Sequence, residues 1–172
     1  LLNDAVLEQQ GKTAPTRVEC SADITVAAYI PESYVPAARQ RMDLYRRIAA
    51  LRTPEDESEL TDELLDRYGD VPPPVTALLR VALLRAAAMD CGVTDITQKG
   101  RQLVFSFDDR VDAAALLAVC TMAAYRSRAQ LSAGAAPRLT LYMQPGEEPL
   151  AAAGALVEAL RLHETDTQQM NG

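Results

Sequence analysis

Three consecutive prolines at 72–74 constrain this chain more than any other feature. Proline lacks a backbone N–H and has a fixed φ, so the run excludes a helix interior and a central strand. It is tolerated in the first turn of a helix, where the N–H groups have no intrahelical partner. The run therefore separates an acidic segment ending at Tyr68-Gly69 from an apolar helix predicted over 75–91. In that helix Val75, Leu78, Leu79, Ala82, Leu83 and Ala86 form a broad apolar stripe, which makes it the central helix of the fold.

The acidic segment has its own start signal. Thr53 and Pro54 supply an N-cap residue and a first-turn proline, and Glu55, Asp56 and Glu57 complement the positive helix end, predicting a helix from 54 to 68. Seven acids against Arg67 alone give residues 53–68 a charge of −6. Before it, a helix over 37–51 places Leu44, Ile48 and Leu51 on one face, and arginines 39, 41, 46, 47 and 52 less Asp43 give residues 37–52 a charge of +4. A basic helix followed by an acidic one predicts that the two pack antiparallel.

Elsewhere the period changes. Strict alternation over 18–26, with Val18, Cys20, Ala22, Ile24 and Val26 on one side, predicts a half-buried strand. It leads into the proline-stiffened connector AYIPESYVP at 28–36. Residues 93–98 and 101–107 read as a hairpin turning at Lys99 and Gly100, with Leu103, Phe105 and Phe107 inward. Asp112 caps a helix through Tyr125, 138–143 forms a further strand, and 147–162 a last helix before a polar tail at 163–172. The order predicts a single α+β domain, a small sheet with helices packed mainly on one side.

Composition narrows the function. At 172 residues with 48% apolar and 24% charged side chains the chain can bury a core. A net charge of −7 disfavours bare nucleic acid and favours neutral or basic protein surfaces. Cysteines 20, 91 and 120 are an odd, widely spaced set, read as small buried apolar groups in a reducing, cytoplasmic setting. The longest apolar run, 75–89, carries Arg80 and Arg85, each costing roughly 2.5–3.5 kcal/mol at a bilayer centre, so no membrane role is expected.

No catalytic constellation emerges. Gly11-Lys12-Thr13 imitates the end of a phosphate loop, but Val6 stands where the loop needs glycine. His163 has no second histidine or cysteine nearby for a metal site and is read as a solvated tail residue. The carboxylates of 55–66 read as a solvated face. The arginine helix reads as the acidic helix's partner, with direct nucleic-acid contact through 37–52 as the alternative. Glu63 and Arg67 are spaced for an intrahelical ion pair.

The connector AYIPESYVP, then RQRMDLYRRIAAL at 39–51 and ELTDELLDRYGDVPPPVTALL at 59–79, resembles the C-terminal domain of the bacterial transcription-repair coupling factor family over 24–89, and more weakly beyond. The resemblance implies that 1–17 are the helical tail of an upstream motor region and a linker, that 18–162 are a regulatory domain, and that 163–172 are a disordered tail. It implies a domain without enzymatic activity of its own, in a parent protein that uses ATP and Mg for DNA translocation and displaces stalled RNA polymerase. The implied partner is a UvrB-like N-terminal domain of the same protein, on which this monomeric module packs, hiding the surface that UvrA binds. The contact residues implied within DELLDRYG are Glu63 and Arg67, with Asp66 and Tyr68 added by proximity.

Overall fold

In the computed structural model, residues 19–132 and 136–170 are described; the expectations for 1–18, including the Gly-Lys-Thr tripeptide, lie outside them. The first strand is shorter than its pattern. β1 (Ser21–Asp23) pairs in parallel with β2 (Val93–Lys99), Ser21 opposite Asp95. Beyond Asp23 the strand ends, but burial keeps alternating to Ile30 and three N–H groups find other acceptors. Thr25 donates to Gln98 Oε1 at 2.8 Å, Tyr29 to Pro74 O at 3.2 Å and Ile30 to Tyr45 Oη at 2.8 Å. Satisfied groups need no ladder, which is why the alternation outruns the strand.

The three helices after the connector begin and end where local chemistry dictates. α1 (Ala38–Ala49) buries Leu44 and Ile48. α2 (Pro54–Tyr68) opens on a capping box: Thr53 Oγ1 accepts from the Asp56 N–H at 3.1 Å, and Asp56 Oδ2 accepts from the Thr53 N–H at 3.0 Å. It ends at Gly69, whose φ of +85° admits glycine far more readily than any other residue. α3 (Pro73–Asp90) starts two residues earlier than its apolar stripe, because Pro73 and Pro74 sit in the first turn.

α3 serves two cores in succession. Its first half contributes Val75, Leu79 and Ala82 to a cluster with Ile30, Val35, Leu44, Ile48, Leu51, Leu60 and Leu64. Its second half gives Leu84, Ala88 and Met89 to a larger cluster under the sheet. The predicted stripe holds along the helix at Val75, Leu79, Ala82 and Ala86, all of them buried. Leu78 and Leu83 are half-buried, while Leu84, Ala88 and Met89 are buried, because the covered face rotates from one core to the next.

The sheet has the order β1, β2, β3 (Gln102–Phe107), β5 (Arg138–Tyr142) and β4 (Ala129–Ser132). β3 follows β2 through a turn at Gly100-Arg101 and buries Leu103, Phe105 and Phe107. It pairs antiparallel with β5, Phe105 opposite Leu139. α4 (Ala113–Thr121) starts as expected, Asp112 Oδ1 accepting from the Ala114 N–H at 2.9 Å, but ends before Tyr125, whose ring turns into the core. β4, an edge strand on β5, has no counterpart in the sequence reading. α5 (Pro149–Met170) packs on α3 and α4 and runs past Leu162. Residues 163–170, expected as a disordered tail, are helical, which suits a stretch with no glycine or proline before Gly172. The fold is α+β, with the apolar face of the sheet under helices and the alternate residues Gln102, Ser106, Arg138 and Tyr142 on the other face.

A candidate interaction face on the acidic helix

Glu63 is the hinge of the charge pattern. It lies at half-burial on α2, one residue before the buried Leu64, so its carboxylate leaves the core beside α1. There it accepts from Arg47 of α1 through a close ion pair, and from Arg67 Nη1 one turn along at 3.3 Å. Those hydrogen bonds, Arg47's first, hold the Glu63 carboxyl below the usual carboxylate range. The predicted pairing of basic and acidic helices is thus present, and Arg47 is the residue that makes it. Charge balance indicated the two segments, but residue spacing within one helix cannot single out a partner on another.

Arg67 also stacks on Tyr68, its guanidinium carbon 5.0 Å from the ring centre. The Tyr68 hydroxyl donates to Gln40 Oε1 of α1 at 3.3 Å, and its ring meets Tyr34 of the connector at 5.7 Å. Tyr34 Oη in turn donates to the helix end, 2.9 Å from Gly69 O and 3.2 Å from Leu64 O. Burial, then nearby Asp70, pushes the Tyr34 phenol above its ordinary value, so it remains a donor. The connector therefore ties down the last turn of α2. Tyr34 and Gln40 were not among the candidate residues.

Of the four candidate residues, the structure brings Glu63, Arg67 and Tyr68 together. Asp66 points elsewhere on α2: it is exposed beside Leu65 and takes part in none of the ion pairs of the described residues. A shallow groove of about 400 Å³ lies between α1 and α2, with Gln40, Asp43, Arg46, Arg67 and Tyr68 on its walls.

Other candidate chemistry is spoken for. Cys20 and Cys91 are buried, which pushes their thiols up to about 11 and about 12, and Cys120 is half-buried. No group of three or more metal-ligating side chains occurs among the described residues. His163, expected in a solvated tail, is half-buried on α5. Beside it a polar hollow is lined by Asp90, Arg110, Asp112 and Glu164. Burial, reinforced by Asp112 and Asp90, raises the Glu164 carboxyl above the usual range. No helix among the described residues is long and apolar enough to cross a membrane.

Together these features define a small α+β domain whose candidate site is an exposed charged and aromatic face rather than an enclosed cavity. The chain belongs to the TRCF domain family, whose model matches residues 24–116, more than half of its length. Transcription-repair-coupling factors are its sequence relatives. That of Bacillus subtilis is 38% identical over 89 residues, 51% of this chain and 8% of that protein. That of Mycobacterium tuberculosis is 37% identical over 89 residues, 52% of this chain and 7% of that protein. That of Staphylococcus haemolyticus is 30% identical over 112 residues, 64% of this chain and 10% of that protein. The chain thus corresponds to a small part of each. The fold matches the crystal structure of a C-terminal domain of transcription-repair coupling factor with a TM-score of 0.70 at 21% identity, covering 83% of this chain and 91% of that one.

Proposed function

We propose that this chain is a regulatory interaction domain of a transcription-repair coupling factor, packing through α2 on a UvrB-like N-terminal domain of the same protein. Docked there, it masks the surface that UvrA binds and restrains an ATP-driven DNA translocase that displaces stalled RNA polymerase. ATP and Mg²⁺ belong to the motor of the parent protein, outside this chain. The observation that carries the reading is the construction of the α2 face. Glu63, Arg67 and Tyr68 stand at the surface, yet Arg47, Gln40 and Tyr34 hold them in one arrangement. Charged groups held this way set register and specificity at an interface at little ordering cost.

A binding measurement between this chain and the separated UvrB-like domain tests it. The native chain should bind, and the double variant Glu63→Ala, Arg67→Ala should bind more weakly while its circular dichroism and melting stay near native. Unchanged affinity in the double variant removes α2 as the interface. The nucleic-acid alternative has less support, because most of the arginines of 37–52 are already engaged. Arg41 donates to Val35 O and Pro36 O, both at 2.8 Å, Arg47 is held by Glu63, and Arg52 donates to Leu51 O at 2.9 Å.

A further inference from the structure

The side of α1 turned away from α2 carries an apolar stripe that none of the described residues covers. Ala38, Met42, Tyr45 and Ala49 recur at the spacing of one helix face, and all four are exposed. Met42 is 56% exposed and Tyr45 38%. Tyr29, 50% exposed, lies next to the stripe, since the following residue, Ile30, donates to Tyr45 Oη. Single exposed apolar residues are ordinary, but a contiguous apolar stripe with a polar, charged rim is a feature of docking surfaces. The rim is asymmetric. On one flank stand Arg39, which is exposed and outside the ion pairs of the described residues, and Arg46, whose pair with Asp43 is itself exposed. On the other flank Arg41 is consumed by Val35 O, Pro36 O and Glu32.

We propose that this stripe of α1 is a second docking surface, and that its occupant is an amphipathic helical segment of a protein with an apolar ridge and carboxylates along one flank. Alanines at the two ends let a second helix approach, while Met42 and Tyr45 form the central contact, methionine adapting its shape to the ridge. Arg39 and Arg46 receive the carboxylates and set the orientation. A phosphate backbone is a poorer occupant, because Glu32, Asp43 and the −6 helix next door repel it while carboxylates need meet only the arginine flank. Arg39, Met42 and Tyr45 lie outside the groove that Arg67 and Tyr68 line, while Arg46 borders both surfaces.

The test uses the chain with ¹³C-methyl methionine and three probes. One is an 18-residue helical peptide with leucines at positions i, i+4, i+7 and i+11 and glutamates along one flank. The second has lysine for every glutamate, and the third is a short DNA duplex. The glutamate peptide should shift the Met42 methyl signal and leave that of Met170, the exposed methionine at the far end of α5, in place. The lysine peptide should bind at least tenfold more weakly. By fluorescence anisotropy of the labelled glutamate peptide, Met42→Asp and Arg39→Glu, both surface changes, should each raise Kd severalfold, and Glu63→Ala should not. The proposal is overturned if Met42 does not respond to the glutamate peptide at millimolar concentration, or if Met170 responds equally. It is also overturned if the lysine peptide binds as well, or if DNA shifts Met42 and the peptide does not.

Discussion

Glu63 accepts from two guanidinium groups on two different helices, so its neighbours are not equivalent. Removing Arg67 costs only an exposed pair within one turn, a few tenths of a kcal/mol. Removing Glu63 frees Arg47 as well, and urea unfolding of Glu63→Ala should show the larger loss, still under about 1 kcal/mol because all three groups reach water. The pH dependence has a definite sign. A carboxyl whose pKa is lowered by folding stabilises the fold when ionised, and that contribution fades as pH falls through the lowered value. The gap in stability between the native chain and Glu63→Gln should therefore be full at neutral pH and shrink below the usual carboxylate range. Equal gaps at pH 7 and pH 3 would mean that the ion pairs contribute nothing. Gly92 poses a different residue-scale constraint. Its φ is +77°, and an added Cβ would lie 3.0 Å from Asp108 Oδ1 and 3.2 Å from the Val111 nitrogen. Gly92→Ala should destabilise by about 1 kcal/mol or more, read as a lower urea midpoint.

Among the elements, those with a start signal were legible from their residues. The capping box of α2 was announced by Thr53 and Pro54, and Thr53→Ala should cost about 1 kcal/mol, measured as a lowered midpoint with unchanged slope. α3 was legible through its prolines, and β3 through the alternation of Leu103, Phe105 and Phe107 around a polar face. What escaped the reading was decided by neighbours rather than by local pattern. β4 is Ala-Gln-Leu-Ser, weak strand formers that pair because β5 offers an edge, and strand preference is largely packing. The last turns of α5 looked like tail because their residues are polar, yet His163 and Glu164 are half-buried beside the hollow next to Asp112. For the candidate face the pattern was the same. Glu63 and Arg67 came from a motif, whereas Arg47, Gln40 and Tyr34 belong to it only because α1 and the connector fold against α2.

At the scale of the molecule, the two ends respond to acid in opposite directions. Glu164 faces Asp112 from the start of α4 and Asp90 from the end of α3, with Arg110 on the rim of the same hollow. Its pKa is raised by folding, so its favourable contribution is complete below the unfolded value and is lost as pH rises through the raised one. Glu164→Gln should melt slightly above the native chain at pH 7, and the difference should vanish on acidification; a lower melting point at pH 7 would refute the assignment. In a full-length parent, deleting residues 18–172 should raise UvrA binding in the absence of polymerase, because a tethered cover acts at an effective concentration near millimolar for a short linker. No gain in UvrA binding would remove the masking role. The passage of α3 from one core to the other has a mechanical side. The helix is a rod of 18 residues, roughly 27 Å long. A tug on α1 or α2 from a docked partner has this rod as its stiffest route to the sheet, and the rod's far end meets the turn at Cys91-Gly92 where β2 begins. Load applied at the helical end should thus be felt first at that corner, as faster amide exchange at Val93 than in the middle of β3.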